Sequence, residues 1–422
     1  MSTAAKPSSF SQRSLSSLAT CTSLSHAINS IENSKPAVII DIGRRLTKVG
    51  FAGEFVPRAI IHSKYFHSSL YEQNDAQNGG HQFTQPRLSA IVKFFQQIFS
   101  SCLLTMPRDR RVVIVENLLT PTGLREAICE ALLVVLNVPS VLFIPSHLCA
   151  TFPFNTDYAL VVDVGYAETL AIPVAEGVVM LSCWELSNIG AMKLENRVRE
   201  LLKEHGRVET CDGLCELGEE HWKIIEDSGI IEEICVRFVF CCPRERGVAI
   251  QTLGAQHNLQ PIKSVKLPLG TDFPRNSGIC PAACEVFFES ANDDSPIQQL
   301  IHSLVERCPM DLRKTMFSSI LLTGGPTLIP GFLSRLKEEI AELAKASPSK
   351  TKQCESIRFY RFPNQCTELY LAWIGGSLFG ALQDPVQLRS VSREKWIENH
   401  ILPDWTDYVQ RGIPCGKPEL ER

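Results

Sequence analysis

The sequence predicts an α/β fold built from two similar lobes, and three observations support this prediction. An apolar run ending in Asp-x-Gly occurs twice, as "VIIDIG" at residues 38–43 and as "LVVDVG" at residues 160–165. Each run is followed by a second short apolar run, so residues 38–60 and 158–177 both read as hairpins. Asp41 and Asp163 are 122 residues apart, which indicates an internal duplication.

The remaining elements alternate between helical and strand patterns, as such a fold requires. Helical patterns cover residues 89–104, 122–136, 186–204 and 207–247, and a further helix is predicted to begin after Ser295-Pro296. The strand patterns are "RRVVIVE", "PSVLFIP" and "SSILL", and the last of these leads through a Gly-Gly turn into a helix. The Gly-Gly-Ser of "LYLAWIGGSLFGALQD" predicts that another element approaches closely at that point.

Composition and charge narrow the range of functions. The chain has 422 residues, of which 44% are hydrophobic, and this is enough for two or three domains with large cores. The net charge of −4 gives no strongly basic balance, so a nucleic-acid partner is not predicted. No apolar run approaches the ~18 residues that a membrane span needs, so direct membrane insertion is not predicted.

The 16 cysteines do not form the pattern of a disulfide framework. Several of them lie inside apolar runs, including Cys129 and Cys241-Cys242, and they are predicted to be small core residues in a reducing compartment. Two C-x3-C pairs, Cys211/Cys215 and Cys280/Cys284, have no matched second pair and no closely spaced His pair. No zinc site is therefore expected.

On these patterns the chain divides into a tail and two lobes. Residues 1–35 are predicted to be a disordered tail, because the first 30 residues contain ten Ser and no acidic residue. Residues 36–155 and 340–422 are assigned to lobe 1, which carries a short polar insert at residues 62–88, and residues 156–339 are assigned to lobe 2.

The two Asp-x-Gly turns are candidates for binding magnesium and phosphate if the hairpins face each other across a cleft. Each Asp then lies at a strand end beside glycine N–H groups. One copy is weak evidence, because any strand that runs into a turn can look like this, but two copies are stronger. Arg44 and Arg45 follow Gly43, and their charge suits a phosphate while their bulk does not suit a turn that wraps one closely.

Four stretches together resemble the actin family: "VIIDIGRRLTKVGFAGEFVPRAI", "LVVDVGYAETLAIPVAEG", "LLTGGPTLIPGFLSRLKEEI" and "LAWIGGSLFGALQ". They are similar, in order, to the two phosphate loops, the adenosine loop and the second connecting segment of actin. The resemblance covers about residues 37–400. It implies the actin-like fold of the actin, Hsp70 and sugar-kinase superfamily, in which two duplicated ribonuclease-H-like lobes with five-stranded sheets enclose a nucleotide cleft. The second subdomain is reduced here.

The resemblance also implies roles for individual residues. Asp41 and Asp163 match the acids that organise the waters of a magnesium ion, and Lys48 matches the lysine that reaches the phosphates. The other matching nucleotide-binding positions are Gly43, Gly165, Gly324, Gly325 and Thr327. ATP or ADP with magnesium is therefore implied as a structural ligand, although altered loop residues leave its retention open.

Several positions depart from the actin pattern. They are Arg44 and Arg45 in place of Ser and Gly in the first loop, Tyr166 and Ala167 in place of an acid and Gly in the second, and Cys235 and Val236 in place of Lys and Glu beside the nucleoside. Positioning and charge stabilisation supply nearly all of the catalysis of phosphoryl transfer. The departures therefore predict that the site has no catalytic residue and that the protein is not an enzyme.

A further departure concerns the attacking water. Ser146 lies where actin has the Gln that orients this water, and a shorter side chain cannot hold it in the same line. His147, the next residue, is either a base or a packing residue, and packing is the more common role of a lone His.

Shorter stretches resemble one class within the family, the actin-related proteins 10 and 11 of the dynactin pointed end. They are "PRDRRVVIVE", "VPSVLFIPSHLCA", "RCPMDLRK", "GALQDPVQLRSVS" and "LPDW". This resemblance implies a noncatalytic, cytoplasmic subunit of the cytoskeleton. It implies partners as well: a filament of actin-related protein 1, the dynactin pointed-end subunits and, indirectly, dynein in microtubule-based movement.

The polar insert at residues 62–88 agrees with a capping role, because in actin the corresponding region is longer and grips the next subunit of the filament. Two alternatives stay open. One is a nuclear actin-related protein that is a structural module of a chromatin-remodelling complex. The other is an active ATPase that forms its own filaments, as Asp41, Lys48 and Asp163 would allow.

Overall fold

The computed structural model describes residues 35–63, 88–205, 207–210, 213–253, 265–266, 272–273, 279–290, 294–346, 357–362 and 365–402. Residues 1–34 of the predicted tail, nearly all of the polar insert, residues 403–422 and Cys211 of the first C-x3-C pair lie outside these ranges.

The secondary structure of the described residues alternates between strands and helices. The strands are β1 (Val38–Ile42), β2 (Leu46–Phe51), β3 (Ala59–His62), β4 (Val112–Glu116), β5 (Ser140–Pro145), β6 (Ala159–Val164), β7 (Thr169–Ala175), β8 (Val178–Val179), β9 (Glu185–Ser187), β10 (Arg207–Thr210), β11 (Gly213–Glu216), β12 (Val265–Lys266), β13 (Asp272–Phe273), β14 (Ile320–Thr323), β15 (Phe359–Tyr360) and β16 (Val391–Ser392).

The helices are α1 (Leu88–Gln97), α2 (Thr122–Cys129), α3 (Ser146–Thr151), α4 (Ala191–His205), α5 (Glu219–Asp227), α6 (Ile230–Arg237), α7 (Arg244–Leu253), α8 (Ile279–Cys284), α9 (Ile297–Arg307), α10 (Met310–Ser318), α11 (Phe332–Ala346), α12 (Leu371–Gly380), α13 (Gln383–Arg389) and α14 (Arg393–Asn399). Wider π turns at Ile98–Cys102 and Glu130–Val135 extend α1 and α2, and a 3₁₀ turn at Gly325–Leu328 follows β14.

Two sheets of the same design confirm the predicted duplication. The first has the strand order β16-β5-β4-β1-β2-β3, and the second has the order β15-β14-β6-β7-β8 with β9 also paired to β7. In each sheet the Asp-x-Gly strand pairs antiparallel with the next strand of its hairpin and parallel with a later strand. Each sheet has six strands, one more than the resemblance implies. The additional strand is the two-residue β16 in the first sheet and the three-residue β9 in the second.

The central strand of the first sheet shows why these runs are apolar without alternation. Val38 and Ile40 pack into one buried cluster and Ile39 packs into another, so both faces of β1 are covered. Trp373 of α12 lies in the second cluster, and its indole N–H donates a 3.2 Å hydrogen bond to the carbonyl oxygen of Ile39. A strand that is buried on both faces needs apolar side chains at every position.

One stretch differs from its prediction. Residues 207–247 were expected to be helical, but β10 and β11 form an antiparallel hairpin there before α5 and α6 begin. Gly213 is disfavoured inside a helix, whereas β-branched Val208 and Thr210 favour a strand, and this accounts for the change from helix to strand.

The two lobes are joined by a buried apolar cluster. It consists of Leu148, Ala150, Ala159, Val161, Val174, Leu321 and Leu371, which come from α3, β6, β7, β14 and α12. The chain enters lobe 2 between α3 and β6. α11 runs unbroken through residue 340, where the sequence places the boundary between the lobes, and β15 pairs with β14.

Close packing of α12 against α3 depends on the predicted glycine pair. A Cβ atom added at Gly375 would lie 1.8 Å from the carbonyl oxygen of Cys149. That oxygen belongs to the backbone, so it cannot move aside as a flexible side chain would. The Gly-Gly-Ser sequence of α12 therefore fixes the distance between the segments that connect the lobes.

Replacing Gly375 with Ala is expected to destabilise the protein by about 3 kcal/mol, because the new methyl group overlaps backbone atoms in a packed core. Gly123→Ala in α2 is the matched control, since an added Cβ there has no atom within 4 Å. The control is expected to be neutral or stabilising by up to about 1 kcal/mol. Chemical denaturation of both variants measures the difference, and equal stabilities would contradict the packing described for α12.

Candidate functional site

The two Asp-x-Gly turns have the same internal geometry. The Gly43 N–H donates to the carbonyl oxygen of Leu46 at 3.1 Å, and the Gly165 N–H donates to that of Glu168 at 2.9 Å. A Cβ atom at Gly43 would lie 2.6 Å from the Leu46 oxygen. The glycine of the first turn is therefore required by the turn itself.

The Gly-Gly turn after β14 lies directly beside the second Asp-x-Gly turn. Gly324 has a φ of +99°, and an added Cβ there would lie 2.0 Å from the Val164 carbonyl oxygen and 3.1 Å from Asp163 Oδ1. Buried Thr327 donates its hydroxyl to the Gly324 oxygen at 2.8 Å. An added Cβ at Gly325 would have no atom within 4 Å. The structure thus brings the predicted positions of the second and third loops together.

Three charged side chains come together at the inner end of the cleft. Lys48 Nζ lies 2.8 Å from Asp41 Oδ2, and the two residues are direct neighbours in the β1–β2 register. Burial raises the pKa of Asp163 to about 6; the charge of Lys48 opposes this increase and that of Asp41 adds to it. Burial alone would lower the pKa of Lys48, but the attraction and hydrogen bond of Asp41, together with Asp163, raise it. The inner end therefore holds two carboxylates and one ammonium group.

Arg45 spans the gap between the first turn and lobe 2. Its Nη1 donates to the Tyr166 hydroxyl at 2.9 Å, and its Nη2 donates to Glu232 Oε2 at 2.6 Å. The same Nη2 lies 3.6 Å from Glu195 Oε1. The guanidinium carbon lies 4.9 Å from the centroid of the Tyr166 ring, which adds a cation–π contact.

Tyr166 extends this group of contacts into lobe 2. Its hydroxyl donates to Glu195 Oε2 at 3.1 Å, and Glu195 also lies 3.8 Å from Arg199 Nη2. Burial raises the pKa of Glu195, while the charge of Arg45 acts in the opposite direction. The Nε of Arg45 is buried and has no acceptor among the described residues. Two of the residues that depart from the actin pattern, Arg45 and Tyr166, are therefore partners of each other.

Arg44 and Val236 differ from Arg45 in their environment. The Arg44 side chain is exposed. Burial raises the pKa of Glu168, and the charge of Arg44 opposes this increase while that of Asp163 adds to it. Val236 of α6, which the resemblance places beside a nucleoside, is 75% exposed and Cys235 is partly buried. Of the two loop arginines, Arg45 bonds to side chains of lobe 2, namely Tyr166 and Glu232.

Sequence reasoning missed Glu195 and Glu232. Each lies on a lobe 2 helix that is amphipathic and rich in charge, α4 for Glu195 and α6 for Glu232. Nothing in their local pattern separates them from surface carboxylates. The signal was indirect: a partly buried Arg needs acidic partners, and the position of those partners in the chain depends on the tertiary fold.

His147 is a buried, neutral packing residue. Its Nδ1 lies 3.2 Å from Ser146 Oγ, and its Nε2 lies 3.4 Å from the carbonyl oxygen of Leu170. Burial lowers its pKa to about 4, although the contact with Leu170 acts in the opposite direction. His147 thus bonds to Ser146 through one ring nitrogen and to the β7 backbone through the other.

Comparison with known proteins gives the family. The family model for actin matches residues 32–213 and 270–402, which is more than half of the chain. The chain belongs to the actin family. It is 24% identical to Actin-related protein 10 of Dictyostelium discoideum over 88% of this chain and 90% of that protein. It is also 24% identical to Putative actin-29 of Dictyostelium discoideum, covering 87% and 95%, and 23% identical to Actin-related protein 3 of Drosophila melanogaster, covering 84% and 93%.

Some of the residues present would suit the magnesium nucleotide that the resemblance to actin implies. Asp41 and Asp163 offer two carboxylates, and no group of three His, Cys, Asp or Glu that could hold an ion occurs among the described residues, so an ion would be held through water. Lys48 lies where a phosphate would be met. Arg45 and Tyr166, which follow the glycines of the two turns, bond to each other, with Arg45 Nη1 donating to the Tyr166 hydroxyl at 2.9 Å.

Within the described ranges, no helix combines the length and apolar character that crossing a membrane requires. This finding agrees with the sequence, in which the apolar runs are strands and packed helices.

The buried His147 is expected to make stability fall in mild acid. Its folded pKa of about 4 lies below the ~6.5 of an unfolded His, so unfolding takes up a proton between these two values. Stability should fall by roughly 3 kcal/mol as the pH decreases from 7 to 4.

Denaturant titrations at several pH values measure this change, with His147→Gln as the comparison because Gln does not titrate. Asp163 shifts in the opposite direction in both proteins, so its effect cancels. Identical pH slopes for the wild type and the variant would show that His147 is not buried in the neutral form.

Proposed function

We propose that this chain is a noncatalytic, actin-related structural subunit that caps the pointed end of an actin-related protein 1 filament in dynactin and docks the pointed-end adaptor subunits. The observation that carries the noncatalytic part is the pairing of Arg45 with Tyr166 across the cleft. Membership of the actin family and the similarity to a relative named Actin-related protein 10 support the choice of assembly.

The altered loops support a site without turnover. Tyr166 stands where the family has an acid, and its hydroxyl is bonded to Arg45 and Glu195. Ser146 bonds to His147 and is too short to orient an attacking water. Since positioning is nearly all that a protein supplies to phosphoryl transfer, losing both groups removes the catalytic contribution.

The capping part of the proposal is based on sequence. The polar insert at residues 62–88 is shorter than the region of actin that grips the next subunit, so the chain would join a filament through its opposite face and end it. Its place would be the cytoplasmic cytoskeleton, where dynein acts on the assembly indirectly during microtubule-based movement.

Affinity purification of the tagged full-length protein from its own cells tests the assembly. We expect actin-related protein 1 and other dynactin subunits to be recovered in amounts comparable to the bait. Recovery of chromatin-remodelling subunits, together with nuclear localisation, would favour the alternative of a nuclear structural module. Absence of dynactin subunits from the purified material would refute the proposal.

Phosphate release from the purified protein with magnesium-ATP tests the noncatalytic part. We expect release equal to that of buffer alone, because the altered loops do not position the attacking water. Release above this background that Asp163→Ala abolishes would show an active ATPase.

A further inference from the structure

We propose that Arg45 is a cross-cleft latch: its contacts with Tyr166, Glu195 and Glu232 hold the two lobes together, so that closure of the cleft does not require a bound nucleotide. This inference concerns the cleft alone and does not depend on the assembly partner proposed above.

The contacts of Arg45 join one lobe to three separate elements of the other. Arg45 lies in the β1–β2 turn of lobe 1, whereas its partners lie in the β6–β7 turn, in α4 and in α6. Glu232 is 187 residues away in the chain. A side chain bonded to several elements of the opposite lobe cannot keep these bonds if the lobes separate.

The latch lies away from the apolar connection between the lobes. That connection consists of residues from α3, β6, β7, β14 and α12, including Leu148 and Leu371. Arg45 is absent from it and lies among the turns that face each other. One connection therefore ties the lobes where the chain crosses between them, and the second closes the loop side of the cleft.

The environment of Arg45 favours strong contacts. Its side chain is 31% exposed, that of Glu195 is 8% exposed and that of Glu232 is 39% exposed. Partly buried charged hydrogen bonds are screened less by water and salt than surface ion pairs. The two carboxylates and the Tyr166 hydroxyl together use both terminal nitrogens of the guanidinium fork.

Arg45 also stabilises the closed form of the cleft, which a bound nucleotide would otherwise do. A nucleotide that touches both lobes stabilises the closed form by mass action, so closure depends on its concentration. Arg45 is covalently part of the chain and is always present. The subunit therefore has one cleft conformation whatever the nucleotide concentration.

Hydrogen–deuterium exchange of the full-length protein without added nucleotide tests the latch. Arg45→Ala is expected to speed backbone exchange about tenfold or more in the turns at residues 43–45 and 165–168 and at the start of α6, because opening then breaks fewer bonds. Exchange in the centres of β1 and β6 is expected to stay slow, which shows that the variant is folded.

Arg58→Ala is the matched control. Arg58 lies in the segment between β2 and β3 of the same lobe, and its Nη2 is 2.6 Å from Glu54 Oε1, so it is an ion-paired arginine that does not cross the cleft. This variant is expected to leave the turn at residues 165–168 unchanged. Tyr166→Phe, which removes only the hydroxyl, is expected to give a smaller acceleration than Arg45→Ala and keeps the test available if the latter does not fold.

Thermal unfolding without nucleotide supplies the second measurement. We expect Arg45→Ala to melt a few degrees below the wild type and Arg58→Ala to melt within about 1 °C of it, because only the first change removes contacts between the lobes. Equal melting temperatures for the two variants would overturn the proposal, as would exchange in Arg45→Ala equal to that of the wild type. Neither result would affect the purification test of the proposed function. Conversely, failure to recover dynactin subunits in that test would not contradict the latch.

Discussion

Two carboxylates near the ends of β1 and β6 are the constraint on which the rest of the cleft depends. Asp41 is the penultimate residue of β1 and Asp163 that of β6, and removing buried Asp41 and partly buried Asp163 from water requires positive charge close by. Lys48 supplies it, because the β1–β2 register places this residue directly beside Asp41. The turns, the Gly-Gly segment and the joining helices are arranged around this group.

A second charged group of the cleft, the Arg45 guanidinium, is stabilised by side chains of the opposite lobe. Arg45 enters a region that is partly shielded from water and finds two carboxylates and a hydroxyl on the opposite lobe. The strands and glycines that match the actin pattern are kept, whereas Arg45 and Tyr166, which depart from it, are bonded to each other.

Much of this arrangement could be predicted from the sequence, because it follows from local rules. The Asp-x-Gly runs predicted both hairpins. Because Asp41 and Lys48 lie on either side of a short turn, the pairing of β1 with β2 places them opposite each other. The glycines of α12 predicted close packing, and Gly375 shows it. The partners of Arg45 could not be predicted, because Glu232 is 187 residues away and is brought near only by the packing of lobe 2.

The central claim is that the cleft is closed by the protein's own side chains. Its most direct test is an experimental structure of the purified protein prepared with excess magnesium-ATP. The account predicts that the Arg45 guanidinium is within hydrogen-bond distance of both Tyr166 and Glu232, with no nucleotide between the two turns. A nucleotide bound between the turns, with Arg45 displaced from Tyr166, would contradict it.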